Sequence, residues 1–220
     1  GVVFEGIHYT GGCATRHGSH PYCDSLRLPS YSTAKTTFAA AASMRLEHRY
    51  PGFLSEAIED WVPEAAADPE NDWDGVSIEH ALDMATENYR LSGYIADENS
   101  ISTNDFFLPD THAEKVAYAV TRYPRNATPG TEMHYHTTDT YLAVTAGQRF
   151  LHEQDGWCAD LFDDVVADEM WTPLDLDLGS KTTRRTYDPV GQPFGGYGLS
   201  YVRDDVAKLS VFLGLDHGRI

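Results

Sequence analysis

Cations are scarce in this chain. Sixteen Lys and Arg face 34 Asp and Glu, a net charge of −18. Nucleic-acid binding and docking on anionic membrane surfaces both need a basic footprint, so both are excluded as expectations. Long apolar runs are missing too. No stretch of about 18 apolar residues occurs, so no membrane-spanning helix is expected. No basic-then-apolar leader stands at Gly1, which puts any export signal outside this sequence. Internal repeats and low-complexity tracts are absent. Hydrophobic residues nonetheless make up 41% and aromatics 12%, enough to exclude wholesale disorder and to build a sizeable core over 220 residues, read as a single domain.

Cysteine is nearly absent, and its placement carries information. Cys13 and Cys23 bracket a loop holding His17 and His20. Two structured readings compete with unlinked thiols. A local disulfide implies an oxidising compartment, periplasmic or secreted. A zinc site on Cys13, His17, His20 and Cys23 is chemically adequate, but its spacing matches no common zinc pattern. Gly18 and Pro21 suit a stapled turn, so we favour the disulfide. Cys158 is expected to be a buried small hydrophobe in an apolar helical stretch.

Ser32-Thr33-Ala34-Lys35 is the most informative stretch. The segment from Thr33 to about Arg49 has no Gly or Pro and is rich in Ala, so it should be helical. Residues three apart share a helix face, which points Ser32 and Lys35 the same way. Ser32 then sits in the first turn, where free N–H groups favour developing negative charge. A neutral Lys amine can take the Ser proton and release an alkoxide. The competing reading is a Ser N-cap followed by a solvated Lys.

Further helices are expected at about Leu54–Trp61, Ser77–Thr86 with Ser77 as N-cap, His112–Tyr123, Thr138–Glu153, Trp157–Met170 and Val202–Leu215. A strand is expected over Gly1–Ile7, and a short extended segment with one wet side over Leu174–Leu178. Glu56, Glu59 and Asp60 read as a solvated helix face. Residues 87–110 are polar and irregular. A loop this long in a compact domain is usually functional or mobile. Tyr89, Tyr94, Phe106 or Phe107 are candidates there for shaping substrate access, with packing as the alternative. His134 and His136 alternate about Tyr135 and are expected on a polar cleft rim, where His136 could tune Tyr135. A metal pair is the weaker alternative, since a third ligand is not visible. Asn126-Ala127-Thr128 is a glycosylation sequon by pattern only.

The context of Ser32-x-x-Lys35 is more specific than the motif. Trp61-Val62-Pro63-Glu64 follows, then Trp73 to Thr86, Pro129-Gly130-Thr131, Tyr135-His136-Thr137-Thr138-Asp139-Thr140-Tyr141-Leu142 and Gly195-Gly196-Tyr197-Gly198-Leu199-Ser200. In this order the set resembles the β-lactamase-related serine hydrolases: class C β-lactamases, DD-peptidases, family VIII-type esterases and 6-aminohexanoate-dimer hydrolases. The resemblance implies an α+β, β-lactamase/transpeptidase-like fold, here mainly the helical lobe with part of the antiparallel sheet and incomplete at both ends.

It also implies Ser32 as nucleophile, with Lys35 and Tyr135 sharing the general-base role. A Tyr beside a Lys cation has its phenolate favoured and can shuttle the proton. Thr137 stands where many relatives carry Asn, which fits esterase and amide-hydrolase branches better than β-lactam recognition. Thr137 and His136 are the substrate-binding candidates, while Asp139 and Thr140 read as helix-start and packing residues. The family's third motif, Lys-Thr-Gly or His-x-Gly, has no counterpart; His217-Gly218-Arg219 reads as a surface turn. The expected reaction is acyl transfer from an ester, amide or lactam of a small-molecule or peptide-like substrate, with no metal or organic cofactor needed. The rival expectation is a non-catalytic ligand-binding or sensor module on the same fold.

Overall fold

A computed structural model describes residues 1–214, so His217-Gly218-Arg219 lies outside the described residues. Instead of one opening strand, the chain begins with a hairpin, β1 (Val2–Phe4) paired to β2 (Ile7–Tyr9). The reversal comes from Glu5 and Gly6, both at positive φ (51° and 76°), a two-residue turn whose twist suits a hairpin. A second small ladder, β3 (Ala14–Thr15) with β4 (Gly18–Ser19), lies inside the loop closed by Cys13 and Cys23. Those cysteines form a disulfide with Cα atoms 5.9 Å apart, so neither is a zinc ligand. Downstream, β5 (Leu28–Pro29) pairs with β6 (Ser200–Tyr201), bringing the return of the chain alongside the start of the first long helix.

That helix opens with a 3₁₀ turn at Tyr31–Thr33, continues wide-wound over Lys35–Ala40 and becomes α1 (Ala41–Arg49). The expected helix over Leu54–Trp61 divides into a 3₁₀ turn, Phe53–Ser55, and one turn, α2 (Ile58–Trp61). Glu56 and Ala57 are extended between them, and Ala57 bridges Ser77. Pro63 then starts α3 (Pro63–Ala66) at the position where its missing N–H costs nothing. Ser77 does cap α4 (Ile78–Leu82), accepting from the His80 N–H. This helix ends before Thr86 because Met84 turns left-handed (φ 54°).

α5 (Asn104–Phe107) is a short turn, and α6 (His112–Thr121) is fixed by a capping box between Thr111 and Glu114. α7 (Thr137–Asp155) is the spine, buried from Thr137 to Gln148 without a break. A helix apolar or buried on every side must sit at the centre of its domain. A wide-wound helix follows at Leu161–Trp171, where Asp160 accepts from the Phe162 and Asp163 N–H groups. It starts later than expected because Gly156 (φ 99°) ends α7 and residues 157–160 form the connection. Cys158 falls in that connection and is exposed, contrary to expectation. Leu174–Leu178 is a turn rather than an extended segment, with Asp175 at φ 54°. α8 (Arg203–Gly214) closes the described chain. Among the described residues, no helix is long and apolar enough to cross a membrane.

Two aromatic groups pin the core. Phe38 meets Phe162 at 5.1 Å between ring centroids, and Phe162 meets Trp171 edge-on at 5.5 Å. Elsewhere, Phe150 of α7 collects Tyr50, Phe53 and Trp61 within 5.5 Å. Such edge-to-face pairs add about 0.5–1.5 kcal/mol each beyond burial.

Lys115 of α6 is the unusual core residue. It is 1% exposed, donates to the Phe106 carbonyl at 2.8 Å and stands over the rings of Phe106 and Phe194. Burial pulls its amine down to about 8. The unfolded chain therefore holds more protons between pH 8 and 10.5, so this residue adds stability as pH rises through that window. The difference in unfolding free energy between the protein and Lys115→Met should rise by on the order of 2 kcal/mol from pH 7.5 to 10.5. Denaturant titrations at a series of pH values check this.

Candidate active site

Three distant segments meet at the first turn of the long helix. Ser32 lies exposed in the 3₁₀ turn. The turn is latched to the returning chain by Ser30, whose N–H donates to the Leu199 carbonyl (2.8 Å) and whose hydroxyl accepts from the Leu199 N–H (3.2 Å). Between them, Tyr31 is held at φ 45° with its side chain 76% exposed. A bulky residue in the left-handed region costs of order 1–3 kcal/mol and persists only where its surroundings impose it. Here the Ser30 anchor and the helix start impose it.

Lys35 follows one turn on. Its Nζ donates to Thr137 Oγ1 at 2.8 Å, lies 3.5 Å from the Gly196 carbonyl oxygen and stands 5.0 Å from the centre of the Tyr135 ring. Burial drives its pKa down to about 8, against the opposing pull of Glu98 and Asp139. The Ser32 hydroxyl is close enough to the Tyr135 phenol to pull its pKa down. Burial and then Glu98 raise the Tyr135 pKa, outweighing the opposing influence of Ser32, so the expected phenolate is not favoured. The proton-accepting capacity at neutral to mildly alkaline pH resides in the amine.

Gly196 completes the enclosure and has to be glycine. A Cβ there would come within 2.8 Å of Thr137 Cγ2 and 3.2 Å of Lys35 Nζ. A side chain there would force Thr137 to shift and crowd the amine.

Thr137 and His136 do not face open cleft, contrary to their expected role in contacting substrate. Thr137 is 2% exposed and its hydroxyl is engaged on both sides, accepting from Lys35 and donating to Glu98. His136 is 1% exposed and His134 3%, so neither forms a polar rim. His134 stacks on Tyr89 at 3.8 Å, and His136 stacks on Tyr123 at 4.2 Å, nearly parallel. His136 Nε2 is 3.2 Å from Asp97, and its Nδ1 lies 3.8 Å from Asp139. Both carboxylates raise the His136 pKa against burial, Asp139 more strongly.

Asp97 and Glu98 escaped the sequence reading. The only signal was that they lie in the long polar loop, residues 87–110, already suspected of function. Phe106 from that loop is fully buried in the core, whereas Tyr94 is 60% exposed and its ring lies 6.4 Å from Tyr135. Asp139 does pack at the helix start, accepting from the Thr86 hydroxyl at 3.1 Å. The sequon's Asn126 amide is occupied by the Tyr89 and Pro124 carbonyls.

A His with a raised folded pKa stabilises fully below its unfolded value near 6.5, and that contribution is lost as pH rises through the folded value. Replacing His136 with Gln leaves two buried carboxylates without their cation, a cost of about 3 kcal/mol. The destabilisation of His136→Gln, read from thermal or denaturant melts, should be largest near pH 6 and shrink toward alkaline pH.

Comparison with known proteins gives this geometry a context. A Beta-lactamase family model matches residues 2–178. No curated protein matches in sequence. Among solved structures, a protein described as a 6-aminohexanoate-dimer hydrolase from Bacillus anthracis aligns over 92% of this chain and 51% of its own length, at 15% identity and TM-score 0.63. D-alanine carboxypeptidase AmpC from Burkholderia cenocepacia aligns over 96% and 57%, at 14% identity and TM-score 0.60. A class C β-lactamase aligns over 99% and 59%, at 14% identity and TM-score 0.60. The chain thus spans little more than half the length of these structures, and at such identities they speak for the fold. With most of its residues matched by the family model and its α+β, β-lactamase/transpeptidase-like fold shared with these structures, the chain belongs to the Beta-lactamase family.

Proposed function

We propose that the protein is a serine hydrolase working through an acyl-enzyme on an ester, amide or lactam carbonyl. The observation that carries the reading is the convergence of the Ser32 hydroxyl, the Tyr135 phenol whose pKa it influences and the Lys35 amine 5.0 Å from that ring. Ser32 attacks the carbonyl carbon as its proton passes through Tyr135 to the neutral Lys35 amine. The phenol gives up its own proton while accepting one, so a raised phenol pKa is compatible with the relay. The backbone N–H of Ser32, in the first helical turn, donates to the oxyanion. The proton then returns to the leaving group, and water releases the acyl chain by the same steps reversed.

Membership of the family supports serine acyl-transfer chemistry, and the exposed rings of Tyr31 and Tyr94 offer an aromatic rim to the acyl portion of a small-molecule or peptide-like substrate. No metal or organic cofactor enters this scheme. The disulfide between Cys13 and Cys23 supports a periplasmic or secreted location.

Ser32→Ala should abolish labelling by a fluorophosphonate probe and cut p-nitrophenyl butyrate turnover by at least about 10³-fold. Labelling that survives in that variant excludes Ser32 as nucleophile. Because the scheme needs a neutral Lys35, the rate of labelling should rise with pH through a midpoint of about 8. A rate that is flat from pH 6 to 9 would remove Lys35 from the base role.

A further inference from the structure

The loop at residues 87–110 meets the site through two adjacent carboxylates, and each grips one of two adjacent residues at the start of α7. Asp97 faces His136 at 3.2 Å. Glu98 holds Thr137 twice, taking its backbone N–H at 3.1 Å on Oε2 and its hydroxyl on Oε1. That hydroxyl in turn accepts from Lys35 Nζ at 2.8 Å. A hydroxyl has one proton to give. Donating it to Glu98 leaves the Thr137 oxygen lone pairs directed at the lysine.

We propose that Glu98 is a positioning residue for Lys35, acting through Thr137 and through its charge, on the reading of Lys35 as the general base. The acid is well held for this. It sits at the N-terminus of the 19-residue α7, whose unpaired N–H groups and dipole favour an anion. The backbone around it is clasped: Asp97 takes the Arg90 and Leu91 N–H groups, the Asp97 carbonyl accepts from the Ser100 and Thr103 hydroxyls, and the Tyr94 carbonyl accepts from the Tyr135 N–H. The loop therefore arrives at the site as a fixed piece.

The charge environment defines what Glu98 does. Lys35 is faced by the Glu98 carboxylate, by Asp139 from α7, by the Tyr135 phenol and by the Gly196 carbonyl. Glu98 is itself faced by Thr137, Lys35 and Tyr135, with Tyr123 beyond. Burial lowers the amine's pKa to about 8, and Glu98 is the strongest influence opposing that. Glu98 acts at one remove from the ammonium, so it sustains the basicity of Lys35 without forming an ion pair that would tie the amine down. The same carboxylate raises the Tyr135 pKa, which keeps the phenol protonated and the proton-accepting role on the amine.

The test reads Lys35 directly and does not depend on turnover. Lys35 is one of four lysines, so ¹³Cε-lysine NMR gives four assignable titrations. Glu98→Gln keeps an acceptor for Thr137 and removes the charge. It should lower the Lys35 midpoint by about half a unit or more, and the pH limb of fluorophosphonate labelling should move down with it. Thr137→Val, which removes the hydroxyl and keeps the carboxylate, should lower the midpoint as well, while Thr137→Ser should leave it in place. These paired threonine variants decide the question if Glu98→Gln does not fold. A midpoint unchanged or raised in Glu98→Gln overturns the proposal, as does a Thr137→Val titration indistinguishable from that of Thr137→Ser. A midpoint that moves as expected in a protein whose Ser32 takes no label upholds the positioning role and removes the hydrolase reading instead.

Discussion

The site depends on one amine held away from water without a carboxylate in direct contact. Lys35 has a threonine oxygen, a peptide carbonyl and an aromatic face as its neighbours, and those three come from residues 137, 196 and 135. A charged ammonium is disfavoured in such surroundings, yet not forbidden, because two anions stand one layer out. That balance sets the amine near neutrality on the pH scale. Bringing either anion closer would raise the amine's pKa, and removing both would lower it further. The surrounding architecture keeps the distances between these limits: Gly196 for clearance, Ser30 for the latch to Leu199, and α7 as the frame for Tyr135, Thr137 and Asp139.

Much of this was readable before any coordinates, and what was readable shares a property. The helix start announced by side-chain chemistry, Ser77 before α4, depends on residues within three positions of each other. The pairing of Ser32 with Lys35 is equally local. Tyr135 was reached only through the order of several blocks along the chain, a resemblance that no periodicity supplies. What could not be read depends on compensation from afar. A histidine beside a tyrosine reads as surface, and only Asp97 and Asp139, from two other segments, make the burial of His136 tolerable. Glu98 carries no pattern at all: one acid among many in a polar loop, distinguished by what lies opposite.

Misplaced boundaries have local causes. The long helix predicted over residues 54–61 lost its middle to an extended Glu56–Ala57 pair that bridges Ser77. The late start of the helix at Leu161 follows from Gly156 ending α7 and from Asp160 supplying the cap. Cys158 is exposed because it lies in the connection that this late start leaves. Each error arose where a neighbouring segment or a positive φ competed with helix propensity and prevailed.

The enclosure by Gly196 has a consequence for biogenesis. During synthesis the segment bearing Ser32 and Lys35 leaves the ribosome well over a hundred residues before the Gly195-Gly196 return. Until that return docks, Lys35 lacks the Gly196 carbonyl beside it and the latch between Ser30 and Leu199 is open. At roughly 5–20 residues per second the interval is on the order of ten seconds. In that interval the turn bearing Ser32 and Lys35 stands without part of the enclosure that the finished fold gives it.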